Sequence, residues 1–344
     1  MSLHPAIAAV RRGVRGVLDP LRSGEPVVVA TSGGADSLAL LAAAVFEGHR
    51  RGLRIVGATV DHGLQQGSAA HAERVVAQMA TLGADETVAV RVRVADAGLG
   101  PEAAARQARY AVLDQVAERF AAPLVLLGHT RDDQAETVLL GLTRGSGIRS
   151  LAGMRRGFDR YRRPLLDVSR TDTETACTVA GIEFWSDPHN SDPAFTRVRV
   201  RRQVLPMLEA ALGPGVAATL ARTADQARED ADFLDDVAER TYARLAGPEP
   251  RPRGSVADGG ITLPVADLAR LDPAIRRRVL RRGAVAAGSP AAELFHTHLM
   301  ALDGLVTDWH GQRWIDLPGH RRGVRRGGLV HLEPTAGGDA GDAG

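Results

Sequence analysis

Two short stretches of this chain combine residue types and spacings suited to chemistry on phosphates. The first is Ser32-Gly33-Gly34-Ala35-Asp36-Ser37. Its glycines allow a tight turn and close approach of backbone to a ligand, and its serines add hydroxyl donors. A helix beginning here would offer free N–H groups and the positive end of its dipole, which suit an anion. Asp36 beside phosphate makes sense chiefly with Mg²⁺ between the two, and the loop lacks the lysine of a P-loop. A Gly-Gly turn capped by Asp and Ser is the plainer reading of the loop taken alone. The second stretch is Gly128-His129-Thr130-Arg131-Asp132-Asp133-Gln134-Ala135-Glu136-Thr137. Asp133 and Glu136 stand three apart, and Asp132 and Glu136 four apart, so either pair shares a face of a helix. Paired carboxylates hold Mg²⁺ or take a proton from an attacking amine, although Asp132 and Asp133 would also cap a helix well.

Both stretches sit where a strand hands over to a helix. Val27 to Thr31 is a buried strand, and Leu38, Leu41, Ala42 and Val45 follow it at helical spacing. Arg54 to Asp61 reads as a second strand with a helix from Ser68 to Leu82, and Thr87 to Val94 as a third with a helix from Pro101 to Phe120. Leu124 to Gly128 reads as a fourth strand, with a helix opening at Asp132. Alternation of this kind predicts an α/β fold, a doubly wound parallel sheet, with ligands beyond the carboxyl ends of the strands. Beyond Trp185 the pattern turns helical, with one helix from Ala194 to Leu212 and a long one ending at Ala246. The expected organisation is a catalytic domain over 1–212, a connecting helix over 213–246, a Pro-, Gly- and Arg-rich linker over 247–260, a small second domain over 261–333, and a disordered tail over 334–344.

Composition narrows the setting. The chain has 344 residues, 44% hydrophobic and 24% charged, enough for one large core and a smaller domain. Its longest apolar run, Leu38 to Phe46, is far short of a membrane span. With no secretory pattern at the N-terminus and Cys177 as the only cysteine, a cytoplasmic protein without disulfides or a thiolate cluster is expected. All 43 basic residues are arginine, which weakens any argument from arginine counts, and a net charge of +2 does not announce a nucleic-acid binder.

Ser32 to Ser37 after a Val-rich strand resembles the pyrophosphate loop of the N-type ATP pyrophosphatases, which adenylate a substrate oxygen with ATP and release pyrophosphate. Gly128 to Thr137 resembles the GHHxDDQxET signature of the tRNA(Ile)-lysidine synthetases, with Thr130 where the signature has its second His. Further similarities follow in order: Val60-Asp61-His62-Gly63-Leu64, Ala105-Arg106-Gln107-Ala108-Arg109-Tyr110, Arg144-Gly145-Ser146-Gly147, Asp187-Pro188-His189-Asn190, and Phe195-Thr196-Arg197-Val198-Arg199-Val200-Arg201, where Val198 replaces an Asn. The resemblance spans Val27 to Leu208. It implies that Ser32, Gly33, Gly34, Ala35, Asp36 and Ser37 cradle the phosphates of ATP, with His62 and His129 at the nucleotide. It implies that Asp36 and Asp133 hold Mg²⁺, and that Asp133 and Glu136 attract a lysine substrate and help to deprotonate it. Arg144 and Arg197 would face the departing pyrophosphate, and Arg106, Arg109 and Arg201 would contact phosphate or tRNA. The implied partners are an isoleucine tRNA with a CAU anticodon and free L-lysine. A homodimer is left open.

Other readings carry different expectations. A tRNA thiolase of the 2-thiocytidine kind needs several cysteines, and glutamine-dependent amidation needs a Cys-based glutaminase; neither suits a chain with one cysteine. A non-catalytic RNA-binding protein that uses ATP as a conformational ligand would leave the clustered carboxylates superfluous. The arginine clusters at 276–278, 281–282, 321–322 and 325–326 suit an RNA backbone or a solvated face equally. His296 and His298 read as structural, Cys177 as an inert helix residue, and Trp185, Trp309 and Trp314 as core.

Overall fold

The computed structural model describes residues 3–61, 67–92, 101–143, 147–185, 192–248 and 260–335. His62, Arg144, the motif at 187–190, most of the expected linker and nearly all of the expected tail therefore lie outside the described residues. The chain runs α1 (Pro5–Leu18), β1 (Pro26–Ala30), α2 (Ala35–His49), β2 (Arg54–Asp61), α3 (Ser68–Thr81), β3 (Glu86–Arg91), α4 (Pro101–Arg119), β4 (Leu124–Leu127), α5 (Arg131–Leu142) and α6 (Ile148–Leu151). It continues through the short strands β5 (Gly157–Phe158) and β6 (Tyr161–Arg162), then α7 (Arg170–Val179), α8 (Thr196–Arg199), a π-helical turn (Val200–Val204), α9 (Leu205–Leu212) and α10 (Val216–Leu245). The remainder is β7 (Gly247–Pro248), β8 (Ile261–Pro264), α11 (Val265–Ala269), α12 (Pro273–Ala286), α13 (His296–Thr307), β9 (Ile315–Leu317), β10 (Arg321–Arg326) and β11 (Leu329–Pro334). Contacts divide the chain into two compact units, one of residues 1–145 and 150–225, the other of 146–149 and 226–344.

The first unit is built on a six-stranded sheet in the order β3-β2-β1-β4-β6-β5, parallel except for the β5–β6 hairpin. Successive side chains of a strand face opposite sides, and the apolar strands use both. Val27 and Val29 pack with Ile55, Leu124 and Leu126 against α1, α2, α3 and α7. Val28, Val56 and Val125 pack against Val112, Leu113 and Val116 of α4. A sheet covered on both faces explains why its strands read as continuous apolar runs. The chain leaves β1 for β2 on one side and returns to β4 on the other, so a switch point lies between the carboxyl ends of β1 and β4.

The expected strands and helices of this unit are present, and three features go beyond them. The helix expected from Ala194 to Leu212 begins at Thr196 and contains the π-helical turn, and α1 and α7 were not anticipated. Helix α1 buries Ala6, Val10, Val14 and Leu18, an i, i+4 stripe.

The second unit folds around a five-stranded antiparallel sheet, order β7-β8-β11-β10-β9, with Leu263, Leu280, Leu302, Leu305 and Leu332 in its core. Its arginine clusters are largely engaged within the unit. Arg276 and Arg277 pair with Asp303, Arg278 with Asp235, Arg282 with Glu239, and Arg322 and Arg326 with Glu333. His298 accepts a hydrogen bond from the Phe295 amide at the start of α13, a structural role as expected. Two tryptophans correct the sequence reading: Trp309 and Trp314 are 43% and 37% exposed instead of buried. They lie in the link between α13 and β9, where they pack beneath the guanidinium groups of Arg325 and Arg313.

Candidate active site

The loop 31–34 leaves β1 at the switch point and feeds α2. Gly33 takes φ +83°, which favours glycine, and a Cβ there would lie 2.7 Å from Val75. Ser37 closes the turn: its hydroxyl accepts from the Ser32 amide at 3.0 Å and donates to the Gly34 carbonyl at 2.9 Å. From outside, His71 donates to the Ser32 carbonyl at 2.9 Å and the Trp185 amide donates to that of Gly33. The polar groups of the loop are thus held in one shape, and Asp36 stands on the first turn of α2.

The second motif is brought against the first by a glycine. A Cβ on Gly128 would lie 3.2 Å from the backbone of Asp36 and Ser37, so the end of β4 passes directly over the start of α2. Helix α5 then opens with its carboxylates turned to this crevice. Asp133 accepts from both the amide and the hydroxyl of Thr130, at 2.8 and 3.0 Å. Thr130, where the family signature has a histidine, is therefore a fully buried cap that fixes Asp133. His129 accepts at Nδ1 from Arg163 at 3.3 Å. Burial drives its pKa down to about 4, so at neutral pH its ring is uncharged, with the proton on Nε2 as a donor.

Three arginines gather the carboxylates. Arg170, at the start of α7, reaches Asp133 at 2.8 Å, Glu136 at 3.4 Å and Asp36 at 3.6 Å, while its amide donates to Asp132 at 2.8 Å. Arg201, in the π-helical turn, holds both oxygens of Glu136 at 2.6 and 3.0 Å and Asp133 at 3.1 Å. Arg197 approaches Glu136 at 3.2 Å and donates to the Thr137 hydroxyl at 2.9 Å. Residues 197 and 201 thus converge on one carboxylate, as their spacing predicts.

The carboxylates differ in how well they are served. Burial works against the ionised form of Asp133, but Arg170 and the Thr130 amide outweigh it and its pKa falls below the ordinary value. Asp36 is pushed up to about 6 by burial, despite Arg170 and the hydrogen bond from Thr173. It is the acid most in need of further positive charge.

Among the described residues, no group of three or more His, Cys, Asp or Glu could hold a metal ion. The donors nonetheless fit Mg²⁺, which characteristically takes one or two carboxylates and completes its shell with phosphate oxygens and water. Asp36 and Asp133 face the same guanidinium beside a phosphate-type loop, and at Asp36 that charge does not outweigh the cost of burial.

The structure thus brings together Ser32–Ser37, His129, Asp133, Glu136, Arg197 and Arg201. Arg106 and Arg109 are exposed on α4, and among the described residues neither makes an ion pair with these carboxylates. Arg106 donates to the Tyr110 hydroxyl, which also takes Arg163, the partner of His129, and its charge adds to lowering the pKa of His129. Sequence reasoning missed Arg170 and Thr173, and took Arg163 only as part of a motif resembling the family's. Arg163-Pro164-Leu165-Leu166 is visible as a motif, but the role of Arg170 depends on Asp36, Asp133 and Glu136, all distant along the chain. Cys177 is buried with its thiol pushed up to about 11 by burial, which suits the inert residue expected.

Comparisons with known proteins place the chain in a family. Residues 8–208 match the PP-loop domain family, and residues 263–328 match the TilS substrate binding domain. The chain is 53% identical to the tRNA(Ile)-lysidine synthase of Thermobifida fusca over 326 residues, covering 95% of this chain and 97% of that protein. It is 50% identical to the tRNA(Ile)-lysidine synthase of Streptomyces coelicolor, covering 96% of this chain and 99% of that one. In structure it is similar to the U34-tRNA thiolase NcsA from Methanococcus maripaludis, with a TM-score of 0.54 at 18% identity over 64% of this chain and 79% of that one; the likeness concerns the fold.

Proposed function

The chain belongs to the tRNA(Ile)-lysidine synthase family, and on that footing we propose that it converts the wobble cytidine of the CAU isoleucine tRNA to lysidine. ATP adenylates the C2 oxygen of the cytidine with release of pyrophosphate. The ε-amine of free lysine then attacks C2, AMP departs, and a C–N bond replaces the C–O bond.

The observation that supports this reading is the abutment, at Gly128, of the phosphate-type loop and the acidic start of α5. The rigid turn from Ser32 to Ser37 receives the phosphates of ATP. Asp36 and Asp133 hold Mg²⁺, which when bound neutralises charge on the phosphates. His129, neutral with Nε2–H as donor, hydrogen-bonds the nucleotide. Glu136 is fully buried and its oxygens face Arg170, Arg197 and Arg201. It therefore sets the positions of those arginines, whose guanidinium groups stabilise charge on the leaving pyrophosphate. Asp133, which keeps 12% of its side chain exposed in the same cluster, attracts the lysine ammonium and assists its deprotonation. Arg144, outside the described residues, is proposed to act on the departing pyrophosphate with these arginines. On this reading the protein works in the cytoplasm, where tRNA is modified.

The test incubates the protein with labelled lysine, Mg-ATP and either the CAU isoleucine tRNA or the CAU methionine initiator tRNA. Label in the isoleucine tRNA alone, with AMP formed in equal amount, is the expected result. AMP without incorporated lysine would remove the lysine step and leave the adenylation.

A further inference from the structure

The residues from Asp308 to Trp314 form a loop of unusual content. The chain has only three tryptophans, and two of them, Trp309 and Trp314, lie within six residues here and are both exposed. The polar groups of the loop are spent on the loop itself. His310 pairs with Asp308 at 2.8 Å, the His310 amide donates to the Gln312 side chain at 2.9 Å, and Gln312 donates to the Asp308 carbonyl at 2.9 Å. Gly311, at φ +87°, makes the turn that permits this closure. Each indole is backed by a guanidinium: Arg325 lies 4.7 Å from the Trp309 ring centre and Arg313 4.4 Å from that of Trp314. Arg325 is itself held by the Leu305 carbonyl at 2.9 Å.

Exposed indoles are costly unless something covers them, and this loop is shaped before anything binds. Two aromatic faces with cationic neighbours match a nucleic acid, whose bases stack on aromatic rings and guanidinium planes and whose phosphates favour positive charge. The other arginine clusters of this unit are largely taken up by carboxylates, Arg282 over Tyr242 included, whereas Arg313 and Arg325 lie on exposed indoles.

We propose that the loop Asp308–Trp314 is a stacking platform that binds unpaired bases of the tRNA substrate through Trp309 and Trp314. The proposal rests on the reading that tRNA is the substrate, and adds where and by what contacts this unit holds it.

Steady-state kinetics of the full-length protein test it, with tRNA varied at saturating ATP and lysine. Trp309→Ala and Trp314→Ala should each raise KM for tRNA on the order of ten-fold. They should leave kcat and the KM values for ATP and lysine unchanged, while Trp309→Phe and Trp314→Phe keep most of the affinity. Circular dichroism and the melting temperature establish that the variants fold. Folded alanine variants with unchanged KM for tRNA would overturn the proposal. So would a wild-type dimer in sedimentation that becomes monomeric on Trp309→Ala with KM unmoved, since the loop would then cover a second copy. A wild-type protein that incorporates no lysine at all would instead strike at the proposed reaction, which keeps the two failures separate.

Discussion

Two clusters of arginine and carboxylate, one in each unit, use the same groups to opposite ends. In the second unit Asp303 takes Arg276 at 2.6 Å and Arg277 at 3.0 Å, with Arg276 and Asp303 both nearly inaccessible. Burial disfavours its charge, but the two guanidinium bonds prevail and its pKa is lowered. In the first unit three carboxylates share three arginines, and the sharing is uneven. Asp133 is stabilised as an anion, whereas Asp36 is left with its pKa raised to about 6. Where charge is matched, the cluster holds helices α12 and α13 together. Where one carboxylate keeps a raised pKa beside a phosphate-type loop, the arrangement is the one the proposed Mg²⁺ would complete.

Substitution should separate the two. Asp303→Asn leaves Arg276 buried with its charge uncompensated and should destabilise the second unit by about 3–5 kcal/mol. Denaturant unfolding would measure it, and a loss below about 1 kcal/mol would show that the pair is not structural in this sense. Asp36→Asn should do the reverse, lowering kcat/KM for AMP formation by about 10²–10³-fold while the protein stays folded. Its effect on stability has a definite sign. The pKa of Asp36 is raised from 3.8 to about 6, so the stability it contributes is fully present below pH 4 and is lost as pH rises through 6. Asparagine does not titrate, so the variant should gain on wild type by about 2 kcal/mol between pH 4 and pH 7, measured without ATP or Mg²⁺. A melting-temperature difference that stays flat across that window would contradict the unmatched charge.

How much of this was legible in the sequence depends on the range of the interactions. Strands β1, β2 and β4 announced themselves because a sheet buried on both faces leaves little room for polar residues. The loop at Ser32 and the acidic start of α5 were legible because each is made by adjacent residues. Helix α1 is written in the four-residue spacing of Ala6, Val10, Val14 and Leu18. The place of Arg170 was not legible, since its partners Asp36 and Asp133 come to it only through the packing of α7 beside α2. Trp309 and Trp314 misled because tryptophan is usually buried, and nothing local reports that an arginine will serve as the packing partner.

Arg170 sharpens the comparison from the other side, because its guanidinium reaches Asp36, Asp133 and Glu136 at 3.6, 2.8 and 3.4 Å. Arg170→Lys keeps the charge but cannot span three carboxylates with one ammonium. The expected outcome is a loss of about ten- to a hundred-fold in kcat/KM, around 2 kcal/mol of transition-state stabilisation, with little change in melting temperature. The corresponding change at Arg276 in the second unit should show the opposite split, with activity per folded molecule retained and stability lost. Equal behaviour of the two variants would erase the distinction between the clusters.

The smallest effect is expected at Thr130, whose hydroxyl and amide both donate to one oxygen of Asp133. Thr130→Val keeps the shape and the amide bond and removes the hydroxyl alone, leaving the Oδ2 of Asp133 with one donor fewer in a buried site. The cost should be about 1 kcal/mol in stability, as for loss of a helix cap, and a few-fold in kcat, because Arg170 and Arg201 still hold the other oxygen. The acid limb of the activity profile should also move up in pH, since removing a donor to an ionised carboxylate raises its pKa. That last readout decides the role of the residue. A stability loss without a shift of the acid limb would make Thr130 a cap and nothing more, whereas the shift would show that the threonine in place of the signature's histidine helps keep Asp133 charged.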